Sequence, residues 1–366
     1  MEDSASEMPA EAVEVAATRV REFRDGDQAR WNEFVRAHPE GTFFHLAEWA
    51  QVLVRAFNHR PHYLLAESGN EIRGVLPLAQ LKSLLFGNAL VSTPFCVYGG
   101  IVAADETARQ LLEQHACELA KRLNVDYLEM RNRRRQHPQW PCKDLYVTFR
   151  KPIAAETEAN LLAIPRKQRA VVRKAIQKGL TSRIDAGVER LYALYSESLR
   201  NLGTPVFSRR YLQILREVFP NESEITVVSR PAGDAEPAGT EVPLAAVLSF
   251  FFRDEVLPYY GGGNDKARGT GANDFMYWEV MERARQRGLR LFDYGRSKKG
   301  TGSFDFKVHW GFEPEPLCYE YYLVKATAVP NLSPTNAKYA RFIEAWQKLP
   351  LWLTQRIGPW LARSLG

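Results

Sequence analysis

The sequence predicts an α/β chain of two tandem units, each a mixed sheet flanked by helices. Three observations carry that expectation. The 366 residues are 45% hydrophobic and 25% charged, which supplies two cores and gives no sign of wholesale disorder. Strand-like alternation is interleaved with helical periodicity along most of the length. An ordered set of segments also recurs: two strands, a Tyr-Gly-Gly, a helix and a further strand, displaced by about 162 to 165 residues. One Tyr-Gly-Gly is a cheap coincidence; its ordered recurrence is not.

The elements follow in order. Residues 1–18 hold Glu2, Asp3, Glu7, Glu11 and Glu14 with no Lys or Arg, and read as a disordered acidic leader. The first unit spans 19–152. Trp31–Ala37 and Ala47–Ala56 have helical spacing, and His62–Glu67 with Ile72–Gln80 make a hairpin around Ser68-Gly69-Asn70. Val91–Ile101 is strand-like and contains Tyr98-Gly99-Gly100; a helix over Asp105–Leu123 and a strand over Asp126–Arg131 follow. The second unit spans 153–326. Strands Glu224–Ser229 and Ala245–Arg253 flank a Gly/Pro-rich loop, and Leu257–Gly263 contains Tyr260-Gly261-Gly262. A helix from about Ala272 to Arg287 and a strand over Arg290–Tyr294 complete the repeat. Residues 327–366 form a basic amphipathic tail. No strand is followed by GxGxxG, which argues against a dinucleotide-binding fold.

The net charge is +6 with a pI near 9.0, and the acidic leader leaves the basic residues concentrated further along. A local basic patch suits an anionic partner such as a nucleotide, RNA or an anionic membrane, although the total alone describes an ordinary soluble surface. Cys96, Cys117, Cys142 and Cys318 make no CxxC pair, and His59 and His62 beside Pro61 read as a loop. No metal site is expected. Reduced thiols, an acidic N-terminus unlike a signal peptide, and no apolar run of about 18 residues predict a cytoplasmic protein not integral to a membrane. Attachment at the inner membrane face stays open.

The second unit is richest in candidate chemistry. Lys266, Gly269 and Gly271 sit between the Tyr-Gly-Gly strand and a helix. Glycines permit close backbone approach, and a helix N-terminus offers free N–H groups and a positive dipole end, so this turn suits a pyrophosphate. The bland alternative is a plain Gly-rich connection capped by Asn273. Residues 164–179 carry six cations and no acid; Arg166, Arg169 and Arg173 share one helical face, with Lys167, Lys174 and Lys178 near a second edge. A solvated face is the ordinary reading of such a run, but six cations without an acid favour an anionic ligand. Arg131, Arg133, Arg134 and Arg135 could extend a cleft between the units, or form a charged loop. No GxSxG elbow or ordered Ser/His/Asp set is present.

Phe275-Met276-Tyr277-Trp278-Glu279, then Phe292-Asp293-Tyr294-Gly295-Arg296-Ser297, then Phe306-Lys307 with Trp310-Gly311-Phe312 resemble the second unit of the Fem aminoacyltransferases. The resemblance covers roughly residues 20–325, strongest from 257 to 323. It implies two tandem units of the acyl-CoA N-acyltransferase (GNAT) fold. The family moves amino acids from aminoacyl-tRNA to lipid-linked or nucleotide-linked peptidoglycan precursors. The branch most similar is the one associated with the bacterial exosortase/PEP-CTERM exopolysaccharide system. The turn holding Lys266, Gly269 and Gly271 has the spacing of the GNAT coenzyme A loop, with Lys in the first place. The chain carries no long helical coiled-coil arm, which some Fem proteins insert and which has been linked to tRNA.

These readings converge on an acyltransferase in which an acceptor amine attacks an activated carbonyl, and a fixed cation with backbone N–H groups stabilises the charge on oxygen. By the resemblance Lys307 is that cation, Asp293 and Asp305 are bases or orienting groups, and Tyr260, Arg296 and the basic helix hold the acceptor. The expected donor is acyl-CoA or aminoacyl-tRNA. The expected acceptor is an anionic, nucleotide-linked or lipid-linked saccharide. A different class of function survives: a non-catalytic binder of RNA, an anionic polysaccharide or a nucleotide-sugar. In the tail, Trp346, Trp352 and Trp360 lie among leucines with Lys338, Arg341, Lys348, Arg356 and Arg363 against Glu344 alone. That composition suits either packing on the domain core or peripheral membrane contact.

Overall fold

The computed structural model describes residues 17–83, 87–234, 236–237, 239–329 and 337–364. All five acids of the leader lie outside them. The first unit begins with β1 (Arg19–Glu22), α1 (Gln28–Ala37), α2 (Trp49–Phe57) and the short β2 (Arg60–Pro61). Alternation then yields the hairpin β3 (Leu64–Ser68) and β4 (Glu71–Leu76), followed by β5 (Leu78–Ser83) and β6 (Gly87–Ser92). Pro77 separates β4 from β5. A proline lacks the ladder N–H, and the two strands it divides join different sheets. After β7 (Val102–Ala103) comes α3 (Glu106–Arg122), capped where Asp105 accepts from the Ala108 N–H at 2.8 Å. Its Ala108, Leu112, Ala116 and Leu119 repeat on one buried face, and β8 (Tyr127–Asn132) follows.

The connecting segment carries β9 (Cys142–Lys143) and β10 (Tyr146–Pro152). The second unit adds α4 (Thr157–Ala163), α5 (Arg166–Gln177), β11 (Thr181–Asp185), α6 (Glu189–Asn201) and α7 (Arg209–Val218). Three long antiparallel strands form its centre: β12 (Ser223–Pro231), β13 (Glu241–Phe252) and β14 (Glu255–Gly263). Then come α8 (Ala272–Gln286), β15 (Leu291–Asp293), β16 (Ser297–Lys298), α9 (Gly302–His309), β17 (Pro314–Pro316) and β18 (Cys318–Leu323). The tail forms α10 (Ala337–Gln347) and α11 (Leu351–Ala362).

The two units exchange strands. β10 leaves the first unit and pairs antiparallel with β15, Arg150 opposite Asp293. β18 returns from the second unit and pairs with β8, Tyr319 opposite Arg131. A division at residue 152/153 therefore leaves β10 with the unit that precedes it in sequence and severs it from the second-unit sheet it joins in space. Strand partners are chosen by long-range hydrogen bonding, which local periodicity does not encode. The Tyr98-Gly99-Gly100 run differs from its expected strand as well: β6 ends at Ser92, and the run is an irregular crossing toward the second unit.

One apolar cluster spans both units. Phe43 stacks on Phe250 with centroids 4.4 Å apart and contacts Phe219 at 4.7 Å, while Phe57 meets Tyr211 at 4.8 Å. Each buried aromatic contributes about 1.5–3 kcal/mol. The interface is thus continuous core rather than a wet seam.

Candidate active site

The pairing of β14 opens the site. It runs parallel to β15 only at Glu255–Leu291 and Val256–Phe292. On its other edge, the register with β13 slips so that Leu248 faces Tyr260 and Ser249 faces Pro258. Tyr259 is the extra residue of a β-bulge, which bends β14 away from β15. Beyond Val256 the two strands diverge.

At the far end of β14 lies a cavity of 550 Å³. Its wall includes Ser198 and Asn201 of α6, Val171 and Lys174 of α5, Gly263, and the turn from Arg268 through Gly271 into α8. Gly269 and Gly271 adopt φ of +70° and +82°, where a side chain would be strained. A Cβ on Gly271 would also stand 2.9 Å from the Val171 Cγ1, whereas at Gly269 it would meet nothing. The turn is therefore tight on its inner side and open on its outer side, at the positive end of a 15-residue helix. Lys178 reinforces it, donating to the Gly269 carbonyl at 3.2 Å. Asp274 in the same wall accepts from the Trp310 indole at 2.9 Å, and burial shifts its pKa upward. These features fit a pyrophosphate.

The cations differ from those expected. Lys266 leans toward Glu236, 3.8 Å away, and Arg268 lines the cavity instead. On α5, Arg173 pairs with Glu158 at 3.3 Å, and Arg169 donates to the Leu162 carbonyl. Arg166 is exposed. Arg169 and Arg173 thus turn toward α4 within the second unit, not toward the junction between units. The other edge of the helix, with Lys174 and Lys178, faces the cavity because Val171 and Ala175 pack on Gly271.

Lys307 lies at the junction, 8% exposed. Its Nζ donates to the carbonyls of Gly295 at 3.0 Å and Arg296 at 3.2 Å, against the rings of Phe149 and Tyr294. Burial lowers its pKa to about 7; Asp293 opposes the shift and Arg296 adds to it. Among the described residues its third proton has no protein partner. Asp293 is fully buried and saturated: it accepts from the Tyr98 hydroxyl and the Gly295 N–H, each at 2.8 Å, with Arg150 3.3 Å away. It holds the units together and fixes the Gly295 turn rather than offering a free oxygen. Asp305, two residues before Lys307 on α9, is exposed on the other side of the helix. Tyr260 bonds the Tyr211 hydroxyl at 2.7 Å within the apolar cluster. Its neighbour Tyr259 donates to the Phe95 carbonyl.

Arg296 is the expected residue that does sit beside Lys307. Its guanidinium lies 4.6 Å over Tyr146 and donates to the Tyr319 hydroxyl at 3.1 Å. Lys298 Nζ lies 5.8 Å from the same Tyr146 ring, and Lys143 Nζ 5.2 Å from that of Tyr321. No carboxylate pairs with Arg296, Lys298 or Lys143 among the described residues. Burial, then Arg296 and Lys143, depress the Lys298 pKa to about 8. Tyr98, Lys143, Tyr146 and Tyr319 were not singled out as site residues. Tyr98 reaches the junction through the irregular crossing, Tyr146 and Tyr319 through the exchanged strands β10 and β18, and Lys143 through β9, which pairs with β18; the recurring Tyr-Gly-Gly was a sequence signal for Tyr98 alone.

The overall fold is shared with solved structures. FemX matches with a TM-score of 0.64 at 15% identity, over 84% of this chain and 98% of that one. A tandem GNAT protein from the clavulanic acid biosynthesis pathway matches at 0.52 and 12%, over 83% and 98%. L-PGS from Bacillus licheniformis matches at 0.52 and 13%, over 88% and 96%. At such identities the likeness is one of fold, here the tandem GNAT fold. The chain has the fold of the tandem GNAT acyltransferases. More particularly, residues 166–308 match the acetyltransferase (GNAT) domain family, and no curated protein sequence matches the chain.

Proposed function

We propose that the chain transfers an acyl group from coenzyme A, or an aminoacyl group from tRNA, to an amine on an anionic cell-envelope or exopolysaccharide precursor. One observation carries the reading: the diverging β14 and β15 run between a cavity suited to a donor's phosphates and a junction suited to an anionic acceptor. The fit of the glycine turn to a pyrophosphate favours coenzyme A. The resemblance to the exosortase-associated Fem-like branch supports a saccharide precursor as acceptor.

The donor supplies an activated carbonyl, as a thioester or ester. Gly269, Gly271 and the α8 N-terminus hold its phosphates, with Lys174 and Arg268 adding charge. Arg296, Lys298 and Lys143 hold the acceptor's phosphate or carboxylate against Tyr146, Tyr319 and Tyr321. The amine nitrogen bonds the carbonyl carbon as the C–S or C–O bond breaks, and the amine's proton ends on the leaving sulfur or oxygen. The free proton of Lys307 is placed to stabilise the carbonyl oxygen as it gains charge. The test is intact-mass analysis of amino-sugar and nucleotide-sugar mixtures incubated with acetyl-CoA or aminoacyl-tRNA. A product heavier by one acyl group, absent for Arg296→Ala with Lys298→Ala, supports the reading. Binding of the same compounds without any modified product would overturn it.

A further inference from the structure

The tail divides its tryptophans. In α10, Trp346 is 2% exposed, and Ile343 packs on Gly203 just beyond α6. In α11, Trp352 is 66% and Trp360 61% exposed. A helix that merely closed the core would bury such residues, as α10 buries Trp346. The inner face of α11 is small and polar: Thr354, Gly358 and Ala362 are buried. A Cβ on Gly358 would stand 3.0 Å from the Val206 backbone, so this face is pressed close to the domain. Gln355 donates to the Ser196 hydroxyl of α6 at 2.8 Å, and His59 bonds the Arg363 carbonyl at 2.7 Å. The helix is therefore held in place while its apolar side chains point outward.

The outward stripe has a regular chemistry. Trp352, Arg356, Trp360 and Arg363 recur at intervals of four, four and three residues, all exposed, with exposed Ile357 alongside. Arg341, Lys348, Arg356 and Arg363 are all exposed and pair with no carboxylate among the described residues; Glu344 is the tail's one acid. Indole rings flanked by guanidinium groups match the boundary of an anionic bilayer, where the ring sits at headgroup depth and the cation meets lipid phosphate. Among the described residues no helix is long and apolar enough to cross a membrane. A protein partner would leave the unpaired cations without a stated counter-charge, whereas an anionic lipid surface supplies one for each.

We propose that the Trp352–Arg363 face of α11 is a peripheral docking surface for an anionic lipid bilayer. It is independent of the transfer reaction, but α6 joins the two: Ser196 anchors α11, while Ser198 and Asn201 line the 550 Å³ cavity. Docking through α11 then sets how that cavity faces the membrane.

The experiment is cosedimentation of the full chain with vesicles of phosphatidylglycerol and phosphatidylcholine, and with phosphatidylcholine alone, at low ionic strength. Two variants accompany it: Trp352→Ala with Trp360→Ala, and Arg356→Glu with Arg363→Glu. Their side chains are exposed, and melting curves check that the fold is kept. The wild type should bind the anionic vesicles. The tryptophan variant should bind at least about tenfold more weakly, and the arginine variant should lose about fivefold or more per charge. Sedimentation velocity should show the same mass for all three. The proposal is overturned if the wild type stays in the supernatant or if both variants bind as it does. A dimer abolished by the tryptophan changes, which would assign the stripe to a second copy of the chain, overturns it equally.

Discussion

Replacing Lys307 with Met probes the junction through two readouts that share one physical cause. The ammonium is buried, and its pKa falls from the ordinary 10.5 to about 7. A displacement of that size corresponds to roughly 5 kcal/mol of penalty on the charged form. Because the folded value is depressed, the unfolded chain binds more protons between these two pH values. The Lys307 contribution to stability therefore rises with pH across that window, and below pH 7 the full penalty remains. Met removes the titration. In urea unfolding at pH 6 to 10, the wild type should gain stability relative to the variant as pH rises, by up to a few kcal/mol. Transfer activity should move the other way. If the ammonium stabilises the carbonyl oxygen, turnover falls as pH rises through about 7, and the Met variant loses on the order of 10²-fold. A variant that folds, turns over like the wild type and shows the same pH slope would remove Lys307 from the mechanism. Turnover that instead rises through pH 7 would make it a base.

Three further changes test the donor turn and a buried ion pair of the first-unit sheet. Gly271→Ala must place a Cβ at φ +82° and 2.9 Å from Val171, a cost of about 1–3 kcal/mol; the melting temperature should drop and acetyl-CoA binding weaken in calorimetry, with a smaller loss for Gly269→Ala. His137 lies 3.1 Å from Glu113 and 3.0 Å from Glu320; burial alone would lower its pKa, but these partners raise it to about 9. Its stabilisation is full below about pH 6.5 and lost as pH rises through about 9. His137→Gln should therefore cost stability at pH 6 but little at pH 9.5 in denaturant titrations; equal losses at both would reject the ion-paired histidine.

The elements that local chemistry specifies were legible. The helix read over Asp105–Leu123 and the strands read over Glu224–Ser229, Ala245–Arg253 and Leu257–Gly263 lie within a few residues of α3, β12, β13 and β14. The glycine turn was legible for the same reason, since Gly269 and Gly271 sit where a left-handed backbone needs them. Lys307 and Arg296 were reached through motif resemblance, and the fold places them side by side. Tyr260 was expected to hold the acceptor, but it bonds Tyr211 within the apolar cluster, and the bulge at Tyr259 helps set which face each side chain meets. Arg166, Arg169 and Arg173 were correctly grouped on a helical face, but grouping does not say which way that face turns.

The sequence by itself determined the two-unit α/β plan, the glycine turn before α8 and the mixture of tryptophan and arginine in the tail. These follow from short-range rules of backbone conformation and periodicity. Only the tertiary structure decided that β10 and β18 change places, that Asp293 is a saturated buried anchor, and that Lys143, Lys298 and Arg296 converge on tyrosines from exchanged strands. It also decided that Trp346 is buried while Trp352 and Trp360 face outward. Each of those outcomes depends on which distant surfaces exclude water together, and that choice is settled by packing the whole chain at once.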